Sequence, residues 1–211
     1  MPEGASFGLF LAAALVIALT PGPGIFYVAA RTLAGGRPEG LASSLGTGLG
    51  GLVHVIAGAF GVSALVMASA DAFAVLKLVG ACYLVYLGIR AWRGAGLEAD
   101  PVRVDPMGAF RAFKEGIAVE ALNPKTAAFF LAFIPQFVAS GDGGLVWRDF
   151  VFLGLISVVL NTGVDVVVVF AAASFRARLA ARPGLLKRLR QSAACMLCGL
   201  GLSLALARRP G

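Results

Sequence analysis

Six stretches of this chain are apolar over lengths close to what a bilayer crossing requires: 7–28, 41–67, 73–89, 117–138, 150–173 and 191–207. A helix rises about 1.5 Å per residue, so roughly 20 apolar residues cross a hydrocarbon core about 30 Å thick. The segments between them are short except for 90–116 and 174–190, which leaves no room for a separate soluble domain. Composition points the same way. Hydrophobic residues make up 59% of the chain and charged residues 14%, against about 45–50% and about 25% in soluble domains. A soluble core of 211 residues cannot hide that much apolar surface, whereas lipid solvates it directly. The expected fold is therefore all-α: a polytopic membrane protein of six transmembrane helices in a single transporter domain.

The net charge of +7 does not indicate a nucleic-acid partner, because the cations are sorted by loop. Thirteen of the 18 Lys and Arg residues fall in the first, third and fifth loops, and only Lys77, Arg148, Arg208 and Arg209 fall on the other side. The positive-inside rule then predicts those three loops in the cytoplasm and both termini outside. The fifth loop carries six cations and no acid, a composition suited to anionic lipid head groups. Met1-Pro2-Glu3 places no basic residue ahead of the first apolar run, unlike a cleaved signal peptide, so the N-terminus is read as mature. Cys82, Cys195 and Cys198 sit within apolar runs, where cysteine packs as a small hydrophobe. No further ligand cluster accompanies them, and no metal or cofactor is expected.

The chain also resembles itself. Residues 18–29, ALTPGPGIFYVA, align with 121–132, ALNPKTAAFFLA, at an offset of 103, and the same offset places 51–58 on 154–161. Residues 80–88 match 193–201 at an offset of 113, the extra ten falling in the basic fifth loop. Ordered self-similarity of this kind indicates duplication. The predicted repeats run over about 1–103 and about 104–211. A unit of three spans is odd, so the second copy enters the membrane from the opposite side. That is the inverted repeat found in many secondary transporters.

Both repeats are interrupted at the same place. Thr20-Pro21 and Asn123-Pro124 read as an N-cap followed by a proline at the first helical position, and Gly22 and Pro23 lengthen the first interruption. Helices 1 and 4 are thus expected to be discontinuous. At such a break one half-helix leaves free carbonyls and the next presents free N–H groups, which suit the ammonium and carboxylate of an amino acid. Thr20, Pro21, Gly22, Pro23, Asn123, Pro124 and Lys125 form the predicted substrate site, paired interruptions being the best pointer to one. A proline kink satisfied by neighbouring helices is the structural alternative.

Charge inside a membrane is costly and turns to a cavity or a partner. Lys125 either holds a substrate carboxylate or neutralises a carboxylate of the bundle. Glu120, one turn before the second break, is either functional or an acid near the interface. Asp165 shares a helix face with Ser157 and Asn161 at fourth positions. It either carries a coupling proton, binds a substrate ammonium or pairs with Lys125, and Asn161 is grouped with it as an ion-coupling candidate. His54 lies on the face of Gly46, Gly50 and Gly58, where small residues allow close packing. It is either a packed, hydrogen-bonded histidine or a proton relay. No phosphate-binding loop, nucleophile elbow or zinc cluster occurs, so the chain is not read as an enzyme. Energy would come from an ion gradient, the membrane potential or the substrate gradient. A membrane-embedded enzyme using Asp165, His54 or Glu120, or a small channel, stays open as the alternative.

Taken together, Thr20-Pro21-Gly22-Pro23, the glycine-rich second span and Leu122-Asn123-Pro124-Lys125 resemble the LysE/RhtB family of amino-acid exporters, and length and layout agree over the whole chain. The resemblance implies efflux of amino acids such as lysine, arginine, threonine, homoserine or other neutral types across the cytoplasmic membrane of a bacterium. Proton exchange or the membrane potential would drive it, and a homo-oligomer is left open. Members commonly carry an asparagine after Pro-Gly-Pro where this chain has Gly24, so the resemblance does not specify the substrate.

Overall fold

The computed structural model describes residues 4–68, 105–138 and 146–180, with single positions and short runs between 75 and 93 and between 188 and 206. Among the described residues the chain is helical, with no strand. The expected third and sixth spans, 73–89 and 191–207, lie partly outside the described residues. The positions described within them are helical.

Helix α1 (Gly4–Leu19) is followed by a three-residue break and α2 (Pro23–Ala68). Helix α3 (Ala109–Ala121) is followed by a two-residue break and α4 (Pro124–Ala128). The chain then continues through a π turn at Phe129–Phe133 and a tight 3₁₀ turn at Ile134–Phe137. The wide turn precedes Pro135, which has no N–H to donate and whose ring obstructs the carbonyl four residues earlier. Helix α5 is Val146–Ala180.

Two helical stretches, Pro23–Gly61 and Val146–Ser174, are long and apolar enough to cross a membrane. Ala109–Ala121 with Pro124–Phe137 makes a third if the pair, bent by 42°, is one span. The first expected span is interrupted at residues 20–22. Its leading part is α1, whose apolar stretch Ser6–Leu19 is shorter, and its trailing part joins α2. Helix α2 itself is bent at Gly36, with φ 75 and ψ −168. Residues eight apart on a straight helix are about 12 Å apart, yet a Cβ at Gly40 would strike the Thr32 hydroxyl. The two arms of α2 therefore fold back on each other at Gly36, a left-handed backbone that glycine alone adopts without cost.

Helix α2 packs mainly on α3 and α5. Its contact with α3 is backbone on backbone: a Cβ at Gly46 would strike the Phe113 carbonyl, and one at Gly116 would lie 2.7 Å from Ser43 O. The glycine stripe on the second span thus serves the close packing expected of it. The opposite stripe of α2, Leu45, Leu49, Val53, Ile56 and Phe60, is exposed, as is Leu155, Val159, Val167 and Phe170 on α5. Exposed apolar stripes of this extent mark a surface that meets lipid or another apolar partner. Phe10 of α1, Phe129, Phe130 and Phe133 after the second break, and Phe150 of α5 fill the core between these helices. Phe129 and Phe133 stack at 5.3 Å, and Phe10 meets Phe137 edge-on at 5.6 Å.

Candidate functional site

The two breaks begin differently from one another. At the second, Asn123 is the N-cap and Pro124 the first helical residue, with Asn123 Oδ1 accepting from Lys125 N at 3.0 Å. At the first, Thr20 does not cap the following helix. Its hydroxyl donates backward to Val16 O at 2.7 Å, and α2 starts at Pro23. The cause is the second proline: a residue before proline is pushed out of the helical region, so Gly22 cannot be helical and Pro23 becomes the first position able to start a helix. Pro23 and Pro124 are both exposed. They shape the backbone and do not line the site.

The breaks meet through Lys125. Its buried ammonium donates to Ile17 O at 3.0 Å and Thr20 O at 2.9 Å, carbonyls at the end of α1. The ordinary helical partner of Ile17 O is the N–H of residue 21, which is proline and has none. Lysine has three donors, so this contact leaves one more. The carboxylate of Glu120, 2% exposed, accepts from Asn123 Nδ2 at 2.8 Å and from Thr126 Oγ1 at 2.6 Å. It is therefore buried among protein groups and not solvated. A Cβ on Gly24 would lie 2.6 Å from Glu120 Oε2, so the missing side chain at position 24 is what gives this carboxylate its place beside the first turn of α2.

A cavity lies against this junction, lined among others by Ile17, Thr47, Glu120, Lys125, Thr126, Ser157 and Asn161. It holds about 20 Å³ of water-accessible space, room for about one water molecule and far less than an amino acid needs. Of the predicted site residues, Glu120, Lys125 and Asn161 line it. Thr20 and Asn123 border it through their hydrogen bonds with Lys125 and Glu120.

Asp165 is fully buried and accepts from Thr47 Oγ1 at 2.7 Å, while its other oxygen has no partner among the described residues. Glu120 and Lys125 are the charged groups that act on it, but no direct Asp165–Lys125 ion pair forms among the described residues. His54 Nε2 lies 2.8 Å from Glu120 O. A carbonyl only accepts, so His54 carries its proton on Nε2 there, and its ring stands 5.7 Å from that of Phe130. His54 is thus hydrogen-bonded and packed against Phe130.

Two groups were not singled out from the sequence. Thr47 was passed over although it follows Ser43 at a fourth position on the glycine-rich span, a spacing that puts both on one face. Arg31 entered only as one of the loop cations and Glu39 not at all, yet they are 2% and 4% exposed. They pair at 3.5 Å, and Glu39 Oε1 accepts from Met107 N and Gly108 N at 2.8 and 2.7 Å just ahead of α3. Opposite charges flanking Gly35-Gly36 were the available signal.

Several contacts either join positions equivalent under the internal alignment or are exchanged for one another by it. A Cβ on Gly22 would lie 3.2 Å from the Lys125 side chain, and 22 and 125 differ by 103. Gly51 meets Val158 and, reciprocally, Gly154 meets Val55, each with a nearest approach of 3.1 Å. Cys198 lies 3.7 Å from Val85 O, a pair related by the offset of 113.

Comparison with known proteins places relatives beside this chain. The chain is 32% identical over 204 residues to a homoserine/homoserine lactone efflux protein of Salmonella typhimurium, covering 94% of this chain and 95% of that one. It is 29% identical over 202 residues to a Vibrio cholerae membrane protein, covering 94% and 96%. A leucine efflux protein of Salmonella choleraesuis is 28% identical over 136 residues, 63% of each chain. No solved structure matches. Residues 15–208 match the family described as LysE type translocator, whose members are translocators and efflux proteins of membranes, and this chain belongs to that family.

Proposed function

We propose that the protein exports small neutral amino acids, of the homoserine or leucine kind, from the cytoplasm, and that the substrate binds where the two broken helices meet. The observation that carries this is the Lys125 bridge from the second break to the carbonyls of the first. It brings a free helix end, a spare N–H donor and the Glu120 carboxylate to one small cavity. Homoserine and leucine efflux proteins are among the relatives, and such substrates carry both an ammonium and a carboxylate. Lys125 is assigned the carboxylate; Thr20, Pro21, Gly22, Pro23, Asn123 and Pro124 form the frame of the site. Since the present cavity is too small for an amino acid, loading requires opening.

The six-helix inverted repeat is part of the same proposal. The contact between equivalent positions Gly22 and Lys125, and the Gly51–Val158 and Gly154–Val55 contacts that the alignment exchanges for one another, support a pseudo-two-fold axis through the site. With odd repeats this axis lies in the membrane plane, and the sorting of cations puts both termini outside the cytoplasmic membrane. Asp165, with its unpartnered oxygen, is proposed as the carrier of a coupling proton.

Counterflow in proteoliposomes with labelled leucine and homoserine tests the function. A carrier accelerates exchange of labelled for unlabelled substrate. A channel does not, and an enzyme releases an altered compound. In the same vesicles, Asp165→Asn is expected to abolish the response of net flux to a pH gradient while gradient-free exchange persists, since the amide keeps the shape but not the titrating charge. An unchanged response to the gradient removes Asp165 from coupling.

A further inference from the structure

We infer that the carbonyls of Ile17 and Thr20 are the seat of the substrate's ammonium, and that in the empty carrier Lys125 occupies this seat as a tethered stand-in. The inference deepens the proposed amino-acid site and rests on it. Ile17 O and Thr20 O are held at 3.0 and 2.9 Å by an ammonium delivered from more than a hundred residues away in the chain. Removing that cation without replacing it leaves Ile17 O with only the Thr20 N–H at 3.3 Å and takes from the Thr20 carbonyl its lysine donor, which is costly. A ligand without N–H or O–H donors supplies no remedy, whereas a second ammonium brings three donors and the charge.

The surroundings fit an exchange of one ammonium for another. Ile17 and Lys125 both line the cavity, and the space there suffices for about one water. A substrate therefore enters only if something withdraws. The Glu120 carboxylate is fastened by Asn123 and Thr126, and the lysine, on a flexible four-carbon stem, is the group free to swing. Gly22, whose Cβ would crowd this stem at 3.2 to 3.3 Å, leaves it room. Once displaced, Lys125 gives up both carbonyl acceptors and keeps only the attraction of the Glu120 and Asp165 charges, so a ligand that also brings a carboxylate supplies the direct partner it has lost. Selectivity for a zwitterion follows: the ammonium takes the seat and the carboxylate takes the lysine that left it. An amine alone strands Lys125, and a carboxylic acid alone cannot release it.

The test uses leucine, its decarboxylated analogue 3-methylbutylamine and its deaminated analogue 4-methylpentanoate, titrated calorimetrically at pH 7 into the full chain in detergent. The wild type is expected to bind leucine and neither analogue appreciably. In Lys125→Met the seat is vacant, so the amine should bind at least about tenfold more tightly than to wild type, by the worth of a charge-assisted hydrogen bond. Leucine should fall to the level of the amine. Lys125→Gln, which keeps a donor for one carbonyl, should show the same change in smaller measure and serves if the methionine variant does not fold. An amine affinity unchanged or weaker in both variants overturns the seat, whether or not leucine binds. Failure of the wild type to bind or exchange any amino acid refutes instead the function on which the inference rests, while a gain for the amine still upholds the seat.

Discussion

The two breaks occupy equivalent positions and are built from opposite materials. The first, Thr20 to Gly22, contains no charge and stays open because two prolines withhold N–H groups from the carbonyls before them. The second, Leu122 and Asn123, is closed by side chains: Asn123 caps the new helix and holds Glu120, and Lys125 reaches across to the first break. The two breaks form a complementary pair in which one supplies backbone acceptors and the other the charges. For the amino-acid site proposed above, that asymmetry would give two different ends, as a zwitterionic substrate needs.

This contrast can be sharpened by substitution. The largest effect is expected from Gly24→Asn, the side chain that relatives commonly carry. It would collide with Glu120 Oε2, which lies 2.6 Å from a Cβ at that position, and force the carboxylate off both its donors. A loss of about 3 kcal/mol in stability, by overpacking and broken charge-assisted hydrogen bonds, should appear as a lowered thermal midpoint in detergent, with exchange activity reduced more than tenfold. A thermal midpoint in Gly24→Asn combined with Glu120→Ala no lower than in Glu120→Ala alone would tie the defect to this contact, and a stable, active Gly24→Asn would break the account of position 24.

Asn123→Ala should come next. It removes the cap on Lys125 N and one donor to Glu120, for about 2 kcal/mol from a lost N-cap and an undersatisfied carboxylate. Thr20→Val should be mildest, below about 1 kcal/mol, because only the bond to Val16 O is lost and the Thr20 carbonyl that receives Lys125 remains. Equal destabilisation at Thr20 and Asn123 would mean that the two breaks are not built differently after all.

Sequence by itself determined the solvent, the helical class and the places where helices stop. Bilayer-length apolar runs admit little else, and Pro21, Pro23 and Pro124 act on their own neighbours through covalent geometry. The Asn123 cap was legible for the same reason, since its partner is two residues away. Thr20 was misread as a matching cap because the effect of Pro23 on Gly22 outweighs it. Only the tertiary structure decided what each charge faces. Nothing local announces that Lys125 ends on Ile17 and Thr20, that Thr47 is bound to Asp165, that Glu120 stands in the space left by Gly24, or that Arg31 and Glu39 are buried together. These contacts join residues brought together by the fold at Gly36 and by packing between the repeats. Burial and pairing of a charge depend on what arrives from elsewhere in the chain, and a linear pattern carries only the part of that information written in its immediate neighbours.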